Sequence, residues 1–163
     1  GIDLNPGMAY LKTQIAAGNA LPETGDIFLS VRDMDKDDIV PYASELVDLG
    51  FVIHATCGTA TKLWEAGIPV NPMFKISEGH PNLIDFINSH KFKWIINTPS
   101  TGVTPRLDEI QMRAHAVIKG VPITTTLKGL HAAIDGLKAL RVMHRMEVCS
   151  IQEYHRQSMH LDV

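Results

Sequence analysis

Short apolar segments alternate with amphipathic segments along the whole chain. Apolar and β-branched residues predict five short strands of the kind that is buried on both faces of a parallel sheet, and these strands cover residues 27–31, 51–55, 68–74, 93–97 and 121–126. In the segments between them, apolar residues recur every three or four positions, as they do on one face of a helix. This alternation predicts a three-layer α/β/α domain with a mostly parallel, five-stranded sheet.

The predicted helices are bounded by capping signals. Asn5 followed by Pro6 is typical of an N-cap and a first helical position. The apolar residues Met8, Leu11 and Ile15 share one side of this helix, so we expect them to pack on the rest of the domain. The later helices are predicted at residues 39–49, at 58–66, from 80 onwards, at 107–119 and at 128–142.

The domain is predicted to extend over the whole chain. A length of 163 residues is typical of one domain, which we place at 1–163 with its core at about 7–145. The third strand contains Pro69 and Pro72, which cannot donate hydrogen bonds to a neighbouring strand, so we expect it at an edge of the sheet. The tail, 146–163, is predicted to add a short strand and a helical turn.

The composition is that of an ordinary globular protein. Hydrophobic residues make up 45% of the chain and charged residues 20%, and the net charge of −3 gives no reason to expect nucleic acid or a membrane surface as a partner. No apolar run approaches the roughly 18 residues that span a bilayer, and the first residues lack the features of a signal peptide. The two cysteines, Cys57 and Cys149, are far apart, which favours a reduced, cytoplasmic location.

Polar residues follow the strands at the end where open parallel sheets bind ligands. The segment Thr56-Cys57-Gly58-Thr59 opens a helix, where free backbone N–H groups and the helix dipole favour an anion. Lys36 and Lys75 add positive charge, so a phosphate ester is the best-matched ligand. The residues collected there, strand by strand, are Ser30 and Lys36; Thr56, Gly58 and Thr59; Lys75; Asn97 and Thr98; and Thr125 and Thr126.

Each of these residues taken singly has a simpler explanation. Serine and threonine often cap helices, and Lys36 lies in a run of charges typical of a solvated surface. Cys57 at a helix N-terminus could be reactive, but the sequence identifies no partner base, so we interpret it as part of the turn. His54, within the second strand, is interpreted as a hydrogen-bonded, half-buried group. The convergence of four strand ends on the same chemistry is what favours a site.

Several sharper motifs are absent. The sequence contains neither a P-loop nor a G-x-G-x-x-G segment, and its histidines lack the paired spacing of zinc ligands. A calcium-loop spacing begins at residues 33–37, but Asp38 and Ser44 stand where such a loop needs Gly and Glu. The sequence therefore predicts no metal site.

Six motifs occur along the chain in the order FLSVRDMDK, LVDLGF, ATCGTA, KISEGHPN, WIINTPS and ITTTLKG. Together they resemble the C-terminal regulatory domain of the carbamoyl-phosphate synthetase large subunit, which has the methylglyoxal synthase-like fold. The similarity extends from about Gly7 to Gln157. It implies a five-stranded parallel sheet in the order 3-2-1-4-5 with helices on both faces.

The resemblance implies an effector site for a nucleoside monophosphate: uridine monophosphate as an inhibitor, and often inosine monophosphate. The family's phosphate-binding positions match Lys36, Thr56 and Thr59, beside Gly58, and a second lysine of the family matches Lys75. The loop at 99–108 is longer than in many relatives, which leaves recognition of the base open. The positions on the ribose and base side are Ser30, Asn97, Thr98, Asp108, Thr125 and Thr126.

The resemblance also implies a domain without catalytic residues, metal or cofactor of its own. Its partners would be the nucleotide, the remainder of the large subunit and the glutaminase small subunit. ATP, with Mg or Mn, would serve the parent ligase in pyrimidine and arginine biosynthesis. No nucleic acid or membrane partner is expected.

A stand-alone lyase of the same fold, a methylglyoxal synthase acting on dihydroxyacetone phosphate, is the alternative. That reaction needs a general base, which the lyases supply from a Gly-Gly-Asp-Gln-Gln segment. The corresponding loop here reads KISEGHPNLIDF and contains no such segment, although Asp33 and Asp35 are still candidate bases. A purine-biosynthetic cyclohydrolase of this fold needs further motifs that a chain this short lacks.

Overall fold

The computed structural model describes residues 1–74, 82–99, 103–143, 146 and 148–158. Within them, strands alternate with helices as the hydrophobic pattern predicts. The strands are β1 (Gly25–Ser30), β2 (Phe51–Thr56), β3 (Asn71–Met73), β4 (Trp94–Asn97) and β5 (Ile123–Thr124). The helices are α1 (Pro6–Ala16), α2 (Ile39–Asp48), α3 (Cys57–Glu65), α4 (Leu83–Asn88), α5 (Val103–Lys119), α6 (Leu127–Met143) and α7 (Ile151–Ser158).

The strands form one parallel sheet in the order β3-β2-β1-β4-β5. From β1 the chain moves to β2 and β3 on one side, and then returns past β1 to β4 and β5 on the other. Because crossovers between parallel strands are right-handed, α2 and α3 cover one face of the sheet and α4 and α5 cover the opposite face. The order implied by the resemblance is confirmed. β3 lies at an edge as Pro69 and Pro72 predict, but it covers only Asn71–Met73 of the predicted 68–74, so Pro69 precedes it.

The two faces of the sheet are covered unequally. α1 and α6 join α2 and α3 on the first face, which we call the four-helix face, and the larger hydrophobic cluster lies there. In the described structure the other face is covered by α4 and α5 over a smaller cluster, and we call it the two-helix face. Alternation along β4 supplies both clusters, since Trp94 and Ile96 pack on the four-helix face and Ile95 on the two-helix face.

α1 and α6 cross in backbone contact. A Cβ added to Gly7 would lie 2.4 Å from the Gly136 nitrogen, and one added to Gly136 would lie 2.5 Å from the Gly7 carbonyl oxygen. Both positions therefore require glycine. Asn5 caps α1 as predicted, its side chain accepting the Met8 N–H at 3.0 Å.

Two helices differ from prediction because tertiary contacts and caps decide their packing and limits. Ile15 is 48% exposed, so the prediction that it packs inward is wrong, whereas Met8 and Leu11 are buried as predicted. α4 begins at Leu83, where Asn82 and Asp85 form a capping box. The start predicted at residues 80–81 falls outside the described part of the chain.

The C-terminal third also departs from prediction. β5 pairs only over Ile123–Thr124, because the Thr126 hydroxyl accepts the Gly129 N–H at 3.0 Å and so begins α6 at this point. α5 begins at Val103, earlier than the predicted Leu107. In the tail, the described residues form helix α7 rather than a strand and a single turn. Among the helices described, none is long and apolar enough to cross a membrane.

Candidate anion-binding site

The register of the strands brings together the predicted residues at the ends of β1, β2 and β4. Ser30 is paired with Asn97 across β1 and β4, and Thr56 follows Ala55, which is paired with Leu29 of β1. The chain leaves β1 toward β2 but leaves β4 toward β5, so strand order reverses between these two neighbours. A reversal of this kind is where open α/β sheets bind ligands.

Three predicted hydroxyl groups form a connected row beside the start of α3. Ser30 Oγ lies 3.3 Å from Thr56 Oγ1, and Thr56 Oγ1 donates to Thr59 Oγ1 at 3.4 Å. Thr59 is 1% exposed, and its oxygen also accepts the Val31 N–H at 3.3 Å, so it forms the floor of the site. Thr56 occupies the N-cap of α3 but makes no side-chain capping bond within the described structure. The first-turn N–H groups of α3 are therefore not capped by this hydroxyl.

Lys36 places its charge over the same helix turn. A Cβ at Gly58 would lie only 2.9 Å from Lys36 Nζ, so the ammonium group lies directly against this glycine. The ammonium group also pairs with Asp33 Oδ1 at 2.7 Å. Asp33 is almost fully exposed, so this carboxylate holds the lysine from the solvent side. A cation and the positive end of a helix dipole thus meet at Gly58, as an anion site requires.

The end of β4 is fastened to the end of β1 by Asn97 and Thr98. The Ser30 carbonyl accepts hydrogen bonds from Asn97 Nδ2 at 3.2 Å and from the Thr98 N–H at 3.1 Å. The Thr98 hydroxyl in turn accepts the Arg32 N–H at 3.0 Å. Both side chains are buried, so they fix the β1 loop against the end of β4.

The side-chain oxygen of Asn97 is a feature that the sequence reasoning missed. Because the Ser30 carbonyl can only accept, the amide orientation of Asn97 is set by the bond from Nδ2. Its Oδ1 is buried and has no hydrogen-bond partner among the described residues. Leaving a buried acceptor unsatisfied costs about 1–3 kcal/mol, so this oxygen is suited to accept a hydrogen bond from a ligand. No sequence signal distinguishes the used atom of an asparagine from the unused one.

The remaining predicted residues lie around this centre or outside the described chain. Lys75 falls outside the described residues. Asp108 lies half-buried in α5. Thr125 and Thr126 follow β5 and are exposed, and the Thr126 hydroxyl is engaged with the start of α6. The structure thus gathers Ser30, Lys36, Thr56, Gly58, Thr59, Asn97 and Thr98 into one site.

The two candidate bases of the lyase alternative are each engaged by a cation. Asp33 pairs with Lys36, as described above. Asp35 is 8% exposed and pairs with Arg32, whose Nε lies 2.9 Å from Asp35 Oδ2. The short 3₁₀ turn over Asp33–Asp35 therefore orients cations around the site. The spacing of Arg32 and Asp35, three residues apart, is the sequence signal that could have identified this pair.

His54 and Cys57 have the structural roles interpreted from sequence. His54 Nε2 lies 2.6 Å from Asp26 Oδ1, and its ring packs against Phe92 with centroids 5.2 Å apart. It is more deeply buried than expected, at 6% exposure. Cys57 is exposed at the first turn of α3 and contacts the Met73 carbonyl at 3.8 Å. Among the residues described, no group of three His, Cys, Asp or Glu side chains is placed to hold a metal ion.

Comparison with known families gives this geometry a context. Residues 38–125 match the family model of the MGS-like domain. The chain belongs to this family. The match runs from the start of α2 to the end of β5, so it includes the α3 turn and the ends of β2 and β4, whereas Ser30 and Lys36 precede it. This MGS-like domain also shares its fold with the crystal structure of methylglyoxal synthase from Elizabethkingia anophelis, with a TM-score of 0.56 and 18% identity over 70% of this chain and 79% of that one.

Similar sequences occur within much longer proteins. The MGS-like domain is 42% identical to the carbamoyl phosphate synthase large chain of Acidobacterium capsulatum, over 88% of this chain and 13% of that one. It is 44% identical to the large chain of Archaeoglobus fulgidus, over 97% of this chain and 15% of that one. It is also 44% identical to the C-terminal section of the large chain of Methanopyrus kandleri, over 86% and 26%. The chain thus spans less than a third of the length of each of these relatives.

Proposed function

We propose that this chain is the effector-binding regulatory domain of a carbamoyl phosphate synthase large chain, and that its effector is a nucleoside monophosphate, uridine or inosine monophosphate. The observation that carries the proposal is the position of Lys36 Nζ over Gly58, at the amino end of α3. The similarity to large chains of that synthase supports the assignment to a regulatory domain.

The phosphate group binds at the first turn of α3 in this proposal. Its oxygens accept hydrogen bonds from the helix N–H groups. Lys36 leaves Asp33 and forms a charged hydrogen bond with the phosphate. Lys75 adds a second charge. The Thr56 hydroxyl, which donates to Thr59 Oγ1 in the structure, turns its proton to a phosphate oxygen in this proposal. Thr59 accepts the Val31 N–H and holds the β1 loop in place from below.

The nucleoside part extends toward β4. The buried oxygen of Asn97 accepts a hydrogen bond from a ribose hydroxyl or a base N–H, which satisfies an acceptor that otherwise has no described partner. Ser30 and Thr98 line the path between the phosphate and this oxygen. Asp108, Thr125 and Thr126 belong to the outer, base-recognising side in this proposal.

Regulation requires that the nucleotide binds two states of the synthase with different affinity. The partners of the domain are then the remainder of the large chain and the glutaminase small subunit. The ATP and the Mg or Mn of the parent ligase are used outside this domain. In this proposal the synthase works in the cytoplasm, in pyrimidine and arginine biosynthesis.

Calorimetric titration of the chain with uridine monophosphate, inosine monophosphate and uridine tests the site. A nucleotide at one hundred times its dissociation constant is expected to raise the free energy of unfolding by about 2.7 kcal/mol. Lys36→Met removes a charged hydrogen bond and is expected to weaken nucleotide binding by about 1.5–3 kcal/mol. The affinity for uridine, which has no phosphate, is expected to stay unchanged. Gly58→Ala is expected to lower nucleotide affinity by less than Lys36→Met does, because the ammonium group lies at the end of a flexible side chain and can shift away from the new Cβ.

Lys62→Met is the matched control. Lys62 lies in α3, the helix that carries Gly58. Its ammonium group pairs with Asp37 at 2.5 Å, a hydrogen bond that raises the pKa of Lys62. This substitution removes the same charge from α3 and is expected to leave nucleotide affinity unchanged. The proposal would be contradicted if neither nucleotide binds at millimolar concentration. It would also be contradicted if Lys36→Met lowers the affinities for nucleotide and nucleoside equally. Formation of methylglyoxal from dihydroxyacetone phosphate would instead support the lyase alternative.

A further inference from the structure

Asp35 is a buried carboxylate at the edge of the candidate anion site. The residue is 8% exposed, whereas the side chain of Asp33, in the same 3₁₀ turn, is 94% exposed. Ionised carboxylates are seldom buried unless they are paired, and a negative charge close to a phosphate site opposes binding of the phosphate. The charge of Asp35 therefore does not explain its place in the site, and the contacts that it makes have to.

The partner of Asp35 is Arg32, which lies three residues earlier in the chain. Arg32 Nε lies 2.9 Å from Asp35 Oδ2, and the Asp35 N–H donates to the Arg32 carbonyl at 3.0 Å. The Arg32 N–H in turn donates to the buried Thr98 hydroxyl at 3.0 Å. These bonds close the 3₁₀ turn and fasten it to the end of β4. We call Arg32, Asp35 and Thr98 the β1-loop clamp.

Lys36 follows the β1-loop clamp directly. Its Nζ lies against Gly58 at the start of α3, and its N–H donates to the Asp33 carbonyl at 3.3 Å. A lysine side chain has many rotamers, so ordering it over a ligand costs conformational entropy. Because the backbone is fixed at Asp35, the stem of Lys36 starts from a defined point and direction. The clamp thus reduces the cost of holding the ammonium group over α3.

We propose that Asp35 is a positioning residue for Lys36, whose ammonium group it holds ready at Gly58 through the buried pair with Arg32. This inference rests on the proposed function, which places a phosphate at Gly58. Asp35 itself contacts no ligand. The two aspartates of the turn then act in opposite directions. Asp33 competes with the phosphate for Lys36, whereas Asp35 prepares Lys36 to bind it.

Calorimetric titration of Asp35→Ala and Asp33→Ala with uridine monophosphate and uridine tests this opposition. Each variant removes one negative charge from the same turn, so electrostatics alone predicts tighter nucleotide binding in both. Asp35→Ala is instead expected to weaken uridine monophosphate by at least about fivefold, because a released lysine has to be ordered on binding. Asp33→Ala is the matched control and is expected to tighten the nucleotide by up to about fivefold. Uridine affinity is expected to stay unchanged in both.

The same change in the Lys36→Met background separates positioning from a general structural role. Asp35→Ala is expected to cause no further loss of nucleotide affinity there, because the group that Asp35 positions is gone. A further loss as large as in the wild-type background overturns the inference. So does an Asp35→Ala variant that binds the nucleotide as well as wild type, or that loses nucleotide and uridine affinity equally. A loss of the same size in Asp33→Ala overturns it as well.

A second variant keeps the test valid if Asp35→Ala does not fold. Arg32→Gln combined with Asp35→Asn removes the ion pair while it leaves the net charge and the approximate size of both side chains unchanged. Thermal melts followed by circular dichroism show which variants fold. The double variant is expected to bind uridine monophosphate more weakly than wild type does, with uridine unaffected. Unchanged nucleotide affinity in the folded double variant overturns the inference.

The position of Lys36 can also be followed without a nucleotide. Acetylation by acetic anhydride, measured by mass spectrometry, is expected to be faster at Lys36 in Asp35→Ala than in wild type. Lys138 of α6, which pairs with Glu45 at 3.1 Å, serves as the internal reference. An unchanged ratio of the two rates overturns the inference. Failure of the wild-type chain to bind either nucleotide would contradict the proposed function instead, and this ratio would still test Asp35.

Discussion

The four-helix face and the two-helix face are built on the same five strands but are closed in different ways. On the four-helix face, the crossover helices α2 and α3 are joined by α1 and α6, which cross in backbone contact at Gly7 and Gly136. On the two-helix face the described chain supplies only the crossover helices α4 and α5. Val52 lies two residues before His54 in β2, so its side chain points to the same face. It is nevertheless 47% exposed.

The difference teaches that β-α-β crossovers alone cover a parallel sheet incompletely. Closure of the four-helix face comes from α1 and α6, which are not crossovers between strands of the sheet. The reversal between β1 and β4 sends the crossovers to opposite faces, and the same reversal creates the candidate site. Unequal faces and the ligand site therefore have one topological origin.

The largest expected effect comes from truncating two neighbouring residues of β4. Ile95 and Ile96 are both fully buried, but they pack on the two-helix face and the four-helix face respectively. Either change to alanine is expected to lower the free energy of unfolding by about 2–5 kcal/mol. We expect the larger loss for Ile96→Ala, because the more fully enclosed core can collapse less into the cavity.

Urea unfolding of the two variants at equal temperature and pH measures this difference, and Ile96→Val serves as a milder control. Equal losses at the two positions would mean that the faces are packed equally well. A larger loss for Ile95→Ala would reverse the comparison altogether.

A smaller effect is expected from the histidine–aspartate pairs on the two sides. His54 is buried in the two-helix core, and its partner Asp26 is one-third exposed. Asp26→Ala is expected to cost about 1–2 kcal/mol, because it leaves a buried imidazole nitrogen without its partner. The pair of His131 and Asp135 on α6 is exposed at both members, with 3.4 Å between the atoms. Asp135→Ala is therefore expected to cost less than about 0.5 kcal/mol.

Thermal unfolding of these two aspartate variants provides the measurement. Similar losses of unfolding free energy in the two variants would indicate that His54 finds another hydrogen-bond partner. The stability of the two-helix face would then not depend on the pair of His54 and Asp26.

The smallest effect concerns pH and the outer surface of the four-helix layer. Lys12 of α1 binds Asp3 at 2.6 Å and the Tyr154 hydroxyl of α7 at 2.7 Å. Burial alone would raise the pKa of Asp3, but hydrogen bonds from Lys12 and the Asn5 N–H outweigh it and lower that pKa below 3.8. Burial alone would lower the pKa of Lys12, but its bonds to Asp3 and Tyr154 raise that pKa above 10.5.

The resulting contribution to stability has a defined pH window. The Asp3 part is present above pH 3.8 and is lost as pH falls through the lowered pKa. The Lys12 part is present below pH 10.5 and is lost as pH rises through the raised pKa. The difference in unfolding free energy between wild type and Asp3→Asn is expected to be up to about 1 kcal/mol and constant between these limits. A difference that does not decline at all as pH falls below 3.8 would contradict the ion pair as its source.

Much of the architecture could be predicted from the sequence because it depends on local signals. Alternating apolar segments identified the strands, and Pro69 and Pro72 in the predicted third strand placed that strand at an edge. The hydroxyl residues Ser30, Thr56 and Thr59 were recognised because they follow strands, and strand ends converge in a parallel sheet. The strand order itself came from the resemblance and not from periodicity.

The errors arise where tertiary context overrides a local pattern. Ile15 fits the apolar side of α1, but Met8 and Leu11 are buried while Ile15 is exposed. Helical periodicity does not show how much of a helix its neighbours cover. The exposure of Val117 and Ile118 on α5 was likewise not predicted, because the apolar side of a helix is expected to face the core. The unsatisfied oxygen of Asn97 depends on which atom reaches Ser30, and only three-dimensional structure specifies that.

The contact between Gly7 and Gly136 also has a consequence for the order of folding. These residues lie nearly the full length of the chain apart, so their contact closes a very long loop and adds to the contact order of the domain. We expect α1 to dock after the sheet and α6 have formed. Substitutions at Met8 should accordingly speed unfolding while leaving the folding rate almost unchanged in stopped-flow experiments. The strands then determine the folding rate. Helix α1 determines the unfolding rate, and with it the lifetime of the native state.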